Sequence, residues 1–504
     1  MPEKAFAHRG FMLDVSRHYM PVADIRKLLQ AAQTLGLNRM HWHLTDDQGW
    51  RIEIRKYPKL TQIGSVRGDS WFGGGSETEN NCGYYTQEEI RGIVEYAGSL
   101  GIDIIPEIEI PGHESAMLAA YPEYGCRRGN GDGRWPDKVE ISCGIFPGLI
   151  CAGKPDAMRF LKDILDEVTE LFPYPAMHIG GDEAMKIRWR RCPDCRRRMR
   201  EEGIETEDAL QRSVVLEIGE YLASRGKRTI VWNDVLEGGP LPDTFIVQQW
   251  MGGEEKTRAF MENGGDVIRS DNRSFYLDYC YGQTNLKTIR ETPRIPEYAR
   301  GHEEHLLGVE CPLWTERVNN IGRAAYQLFP RLTAVAVWME AEGELSPAEF
   351  TDRVREKQKK IEALGLTGAP ESVWEMSEED AEKDRKAEYS RVYSGRSGEL
   401  IHANDQMVLL ESTERMMREA GLPEDLIYRA GNTVAAEYYG EAADPADESA
   451  GKLIRQIMKA AEGREKEDWR KECEHLFRDI QQCAADTAVP DPGIPAVPDR
   501  EGTR

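Results

Sequence analysis

The chain has 504 residues, 40% apolar and 30% charged, with a formal net charge of −23 at pH 7. That length suits one large domain plus something smaller, and a soluble globular class is expected. The negative field argues against nucleic acid or an anionic membrane surface as partner, and no run approaches the roughly 20 apolar residues of a membrane span.

The first ten residues are charged and lack the apolar run of a signal peptide. With Met1 as the natural start, a cytoplasmic location is expected. From there to about residue 360, short apolar runs alternate with amphipathic stretches, the pattern of βα units on a parallel sheet. Strands are expected at 10–15, 38–44, 102–108, 176–179, 229–232, 245–250, 266–270 and 306–311. Helices are expected between them, for example at 22–35, 87–100, 157–171 and 206–225. Eight strands in this span fit a (β/α)8 TIM barrel with insertions, set at 6–362. Residues 363–484 turn rich in Glu, Lys, Arg and Ala with apolar positions at helical spacing, and helices are expected at 398–420, 423–439 and 446–483. This helical C-terminal region reads equally as a homodimer interface, a lid or plain packing. The Pro-rich stretch 485–504 is expected to be a disordered tail.

The ten cysteines lack the spacing of a small disulfide scaffold. Cys192-Pro193-Asp194-Cys195 is a CxxC, but no second CxxC accompanies it, so no metal is expected. Cys126, Cys143 and Cys151 are the residues able to supply a further ligand or a local disulfide. The basic run from Arg188 to Arg200, with Arg190, Arg191, Arg196, Arg197 and Arg198, is expected to be a solvated face.

Polar and acidic residues gather just past the expected strands. Asp46 and Asp47 follow the second, Glu109 and His113 the third, Asp182 and Glu183 the fourth, Asn233 and Asp234 the fifth, Trp314 and Glu316 the eighth. In a barrel all these strand ends meet on one face, where active sites form. In the stretch His178-Ile179-Gly180-Gly181-Asp182-Glu183, the glycine pair permits backbone angles that turn both carboxylates into one pocket. Two carboxylates in a low-dielectric site cannot both ionise easily, so one becomes available as a general acid near neutral pH. Alone, the stretch reads more simply as a glycine turn with a helix-capping Asp. Tryptophans at four strand ends, Trp42, Trp232, Trp250 and Trp314, shift the balance, because a pyranose has an apolar face that packs on an aromatic ring. Arg17, Asp46 and Glu316 are placed to bind sugar hydroxyls by charge-assisted hydrogen bonds.

These residues resemble glycoside hydrolase family 20, the β-N-acetylhexosaminidases. HIGGDE at 178–183 resembles the family's HxGGDE, and RGFMLDVSRH at 9–18 resembles its first strand. HWHLTDDQGWR at 41–51, PEIEIPGH at 106–113, VWND at 231–234, YLD at 276–278 and LWTE at 313–316 are similar to its later motifs. The resemblance spans about 6–345. It implies removal of terminal β-linked N-acetylglucosamine or N-acetylgalactosamine from a small-molecule or glycan substrate, with retention and no cofactor. The nucleophile would be the substrate's own 2-acetamido oxygen, one of the exceptions to the two-carboxylate scheme. Residue by residue, it implies Glu183 as acid and base, Asp182 as partner of the acetamido N–H, and Tyr276 as holder of the acetamido oxygen. Arg17 and Glu316 would bind O3 and O4, and Asp278 the O4/O6 side. Trp232, Trp250 and Trp314 would form the wall, with Asp46 and His113 tuning Glu183. His18, His41 and His43 look like metal ligands at first sight, yet the resemblance implies structural roles. Two departures stand out: Glu109 occupies a position where many relatives have Asp, and the small α+β domain that commonly precedes the barrel is not seen.

Three alternatives compete. A disaccharide-releasing enzyme of the same family, of lacto-N-biosidase type, would need a longer pocket. A catalytically silent barrel that binds N-acetylated glycans would not need every catalytic position filled. A glycosidase with a carboxylate nucleophile needs two carboxyls on opposite sides of C1, which adjacent residues fit badly.

Overall fold

The computed structural model describes residues 6–73, 75–126, 139–341 and 343–419, with short stretches between 421 and 461. The chain divides into two compact units, Met1–His402 and Ala403–Arg504. The first contains a closed barrel of eight parallel strands. They are β1 (His8–Asp14), β2 (Arg39–His43), β3 (Asp103–Glu107), β4 (Ala176–His178), β5 (Arg228–Trp232), β6 (Ile246–Gln249), β7 (Asp266–Arg269) and β8 (Leu306–Leu313). Each strand pairs with its successor, and β8 closes on β1 with Phe11 opposite Cys311. This is the expected (β/α)8 TIM barrel, and every expected strand is present to within two residues at either end.

The surrounding helices follow from apolar spacing and capping. Pro155–Leu171 buries Ala157, Leu161, Ile164, Val168 and Leu171, a stripe at intervals of three and four that turns one face to the barrel. Burial of each large side chain contributes roughly 1.5–3 kcal/mol. Gln87–Ser99 starts at a capping box in which Thr86 and Glu89 satisfy each other's backbone N–H.

Residues alternate in and out along the strands. Ile104, Val231, Val247 and Val267 face the helices in the main apolar cluster. Their neighbours Ile105, Ala176, Ile230, Ile246 and Ile268 form a separate apolar layer inside the barrel. Two positions further along, the same faces carry Glu107, His178, Trp232, Gln248 and Ser270, so the upper lumen is polar. Glu107 meets His178 Nδ1 at 2.8 Å, His41 Nε2 at 3.0 Å and the Trp232 indole N–H at 3.0 Å, and it also bonds His43. Glu310 takes His8 and His41 at 2.8 Å each, and the Gln248 amide at 2.8 Å. Burial opposes the charge on His41 and His43, but the facing carboxylates more than offset it and raise them to about 9 and about 10. Both imidazoles are thus carboxylate partners in the lumen. His18, buried against the Thr315 carbonyl, falls to about 4.

Period two also corrects one expectation. Trp42 does not reach the barrel mouth, because it lies between the inward His41 and His43. It is buried outside the strands, with its ring 4.8 Å from Tyr85 and 6.3 Å from Phe172.

The first unit continues through Pro347–Glu362 and Glu378–Val392. Asp384 and Arg385 of the latter bond the backbone of Gly282. Composition changes near 363, whereas compactness divides the chain at His402. In the second unit the described helices are the end of Gly395–Glu419 and Glu448–Ala461, with Met407, Leu410, Ile454 and Ile457 buried. The expected helices 423–439 and 446–483 lie only partly within the described residues, and 485–504 lies outside them.

Candidate active site

At the end of β4 the backbone runs through Gly180 at φ +65°, Gly181 at +93° and Glu183 at +47°. Positive φ at Glu183 is a strained conformation for a side chain with a Cβ, of the sort that clusters at functional sites. Gly180 is required twice over, since a Cβ there would lie 1.8 Å from Glu109 Oε2. Gly180→Ala is expected to lower the unfolding free energy by about 2 kcal/mol. A urea-unfolding midpoint unchanged from the parent would contradict this.

The turn places Asp182 and Glu183 side by side in a buried setting. Burial, reinforced by the nearby Asp234 charge, raises Glu183 to about 7, although His113 and Arg17 pull the other way. Asp182 is raised well above the usual carboxylate range by burial, then by Asp234 and Glu183. Its Oδ1 is buried with no hydrogen-bond partner. Glu109 is also raised well above its ordinary value, by burial and by Asp182. Neither of its carboxyl oxygens has a hydrogen-bond partner.

His113, at φ +52° past β3, bridges two acid pairs. Its Nδ1 lies 3.0 Å from Asp47 and 3.3 Å from Asp46, while Nε2 faces Asp182 at 3.8 Å and Glu183 at 3.6 Å. Burial disfavours its charge, but Asp46 and Asp47 raise it well above the ordinary imidazole value. A cation is thereby held beside the carboxylate pair. Asp46, held well below its usual range chiefly by Arg17 against the cost of burial, passes the network on. Arg17 reaches Asp46 at 2.7 Å and Gln48 at 2.7 Å, and its guanidinium lies 5.1 Å over the Trp314 ring.

Aromatic rings adjoin this network. Tyr276, buried, stacks on Trp250 at 6.0 Å and meets Trp314 at 6.3 Å. Trp250 and Trp314 are half-buried at the mouth. Trp232 lies deeper, 1% exposed, with Trp314 6.2 Å away. Asp278 is raised to about 7 by burial and by Glu316, and its Oδ1 has no hydrogen-bond partner. All eleven expected site residues therefore lie in the region where the carboxyl ends of the strands meet. A proton donor near neutrality, an unpaired buried carboxylate and an aromatic wall can bind a neutral polar ring and transfer one proton to it.

A sequence profile described as the catalytic domain of glycosyl hydrolase family 20 matches residues 6–341. The chain belongs to glycosyl hydrolase family 20. It is 38% identical over 382 residues to a beta-hexosaminidase of Porphyromonas gingivalis, covering 73% of this chain and 47% of that one. It is 36% identical over 349 residues to a beta-hexosaminidase of Vibrio furnissii, covering 66% and 56%. The chain thus spans about half the length of these two relatives. Among solved structures, a beta-N-acetylhexosaminidase from Bacteroides fragilis superimposes with TM-score 0.64 at 33% identity, covering 73% of each chain. A family 20 exo-beta-N-acetylglucosaminidase from Vibrio harveyi, in complex with N-acetylglucosamine, gives TM-score 0.64 at 28% identity, covering 73% of this chain and 60% of that one.

In this family 20 barrel two residues do more than their sequence positions suggest. Asp234 accepts the Trp250 indole N–H at 2.7 Å and lies 3.4 Å from the Glu183 backbone N–H. It thus ties Trp250 to the turn that carries Glu183. Asp47 anchors His113 and also accepts the Ser115 N–H at 2.9 Å. Both residues lie just past the end of a barrel strand, β2 or β5, which is the one signal that points to them.

Proposed function

We propose that this chain is an exo-acting, retaining β-N-acetylhexosaminidase that works by substrate assistance. The observation that carries the reading is the buried Asp182–Glu183 pair, with Glu183 raised to about 7 and Asp182 Oδ1 unpaired. A terminal β-linked N-acetylhexosamine enters with its apolar face on Trp314 and Trp250. Arg17, Glu316 and Asp278 take its outer hydroxyls. Glu183 donates its proton to the glycosidic oxygen as the C1–O bond breaks, and the 2-acetamido oxygen closes on C1 to give an oxazolinium. The adjacent His113 cation favours the ionised form of Asp182 against burial, and in that form Asp182 accepts the acetamido N–H and balances the positive charge that develops on it. Tyr276 holds the acetamido oxygen in line, and such intramolecular positioning supplies a large effective concentration. The Glu183 carboxylate then takes a proton from water, which attacks C1 from the departed side, so configuration is retained. Relatives named as beta-hexosaminidases favour this reading over release of a disaccharide.

The test is hydrolysis of p-nitrophenyl β-GlcNAc and β-GalNAc, followed by NMR for the anomer formed first, with a thiazoline mimic of the oxazolinium as inhibitor. Turnover of a β-glucoside that lacks the acetamido group would rule out substrate assistance. The pH dependence follows from Glu183. Its acid form is the reactive one, so kcat/KM is expected to fall as pH rises through about 7. A profile flat to pH 9 would sink that assignment.

A further inference from the structure

Four buried cysteines converge beside the barrel: Cys126, Cys151, Cys192 and Cys195, none of them in a disulfide. Their sulfurs all lie within 4.8 Å of one another. Cys151 is 3.6 Å from Cys192 and 3.7 Å from Cys195, and Cys126 is 3.8 Å from Cys195. A disulfide needs about 2.05 Å. Four sulfurs about 2.3 Å from a central zinc form a tetrahedron with edges of about 3.8 Å, close to the separations of these three pairs.

The fold supplies what the sequence spacing lacked. Cys192 and Cys195 flank the start of helix Pro193–Glu202, and a backbone hydrogen bond from Cys195 reaches the Cys192 sulfur. Cys126 and Cys151 lie far apart in sequence but are brought together by an antiparallel bridge between Gly125 and Ile150 and by the Cys151 N–H on the Tyr124 carbonyl. Gly153 lets this loop approach the CxxC turn, because a Cβ there would lie 2.0 Å from the Asp194 carbonyl carbon. Cys143 is not in the cluster. The surroundings suit an anionic centre. Lys154 bonds the Gly125 carbonyl at 2.7 Å, Arg198 that of Ala152 at 2.8 Å and Arg197 that of Gly153 at 3.2 Å. Part of the basic run thus clasps this loop rather than only facing water. The Trp189 indole N–H holds the Ile150 carbonyl at 2.8 Å.

We propose that Cys126, Cys151, Cys192 and Cys195 bind one zinc ion as a closed tetrathiolate site. On binding, the four thiols release their protons, and the divalent cation leaves the centre with two net negative charges beside Lys154, Arg197 and Arg198. With all four positions filled there is no place for water or substrate, so the role is structural. The ion clamps the segment after β3, which carries His113, to the segment after β4, which carries Asp182 and Glu183.

The test is elemental analysis of the full chain, purified without chelators. About one zinc per chain is expected, released by an organomercurial as four thiols are titrated. Cobalt(II) added to the metal-stripped protein should give the visible bands of a tetrahedral tetrathiolate. Cys126→Ser and Cys192→Ser should each lose zinc, and Cys82→Ser, at an exposed cysteine outside the cluster, should keep it. If the serine variants fail to fold, the cobalt spectrum of the parent protein still decides. Overturning results are zinc below about a tenth of an equivalent with no cobalt bands, two disulfides among the four residues, or iron in place of zinc.

Discussion

Glu183→Gln is expected to lower kcat/KM about a thousandfold on a substrate with a sugar leaving group, and no more than about tenfold on an aryl glycoside with an acidic phenol. The contrast follows from the role proposed for Glu183. kcat/KM reports steps only up to the first irreversible one, bond cleavage, so the later loss of the base does not enter. A sugar alkoxide cannot leave without a proton, whereas a nitrophenolate can. A thousandfold is about 4 kcal/mol of transition-state stabilisation, a reasonable yield from a donor raised to about 7. Equal losses on both substrates would remove Glu183 from the role of acid. The pH–rate profile gives an independent check, since the fall near pH 7 should vanish in the variant.

Asp182→Ala should behave differently. Its carboxylate is proposed to act on the acetamido group and not on the leaving oxygen, so the loss should be the same for both substrates, about a hundred- to a thousandfold. The thiazoline inhibitor, which carries the ring and charge of the intermediate, should weaken by a similar factor. The unpaired Asp182 Oδ1 motivates this expectation, because a buried carboxyl oxygen without a partner costs stability unless a ligand completes it. A variant whose loss depends on the leaving group, or whose inhibitor affinity is unchanged, would contradict the division of labour.

The barrel was legible because parallel strands packed on both faces leave short apolar runs, and because reactive residues recur just past those runs. His178 to Glu183 gained meaning only from the other strand ends. Three features were visible as residues but not in their placement, for distinct reasons. Trp42 has the right residue type at the right strand end but the wrong parity, and its flanking histidines were the clue to its facing. Asp234 acts through Trp250 and Glu183, which the chain brings to it only on closing the barrel. Two members of the cysteine cluster, Cys126 and Cys151, stand at no fixed spacing that could be read from the sequence; one backbone bridge between Gly125 and Ile150 creates the proximity.

The two layers of the lumen differ in their freedom to change. The lower one, Ile105, Ala176, Ile230, Ile246 and Ile268, is held by shape alone, and exchanges among aliphatic residues of similar volume there usually cost under about 1.5 kcal/mol. The upper one is a web of buried ions in which Glu107 serves three imidazoles and an indole. Removing a single partner strands a buried charge and costs about 3–5 kcal/mol, while exchanging the whole set for packed apolar residues can be nearly neutral. Step-by-step drift is therefore disfavoured in the layer beneath Asp182 and Glu183. His41, His43, Glu107, His178 and Trp232 are expected to vary together among relatives rather than one at a time.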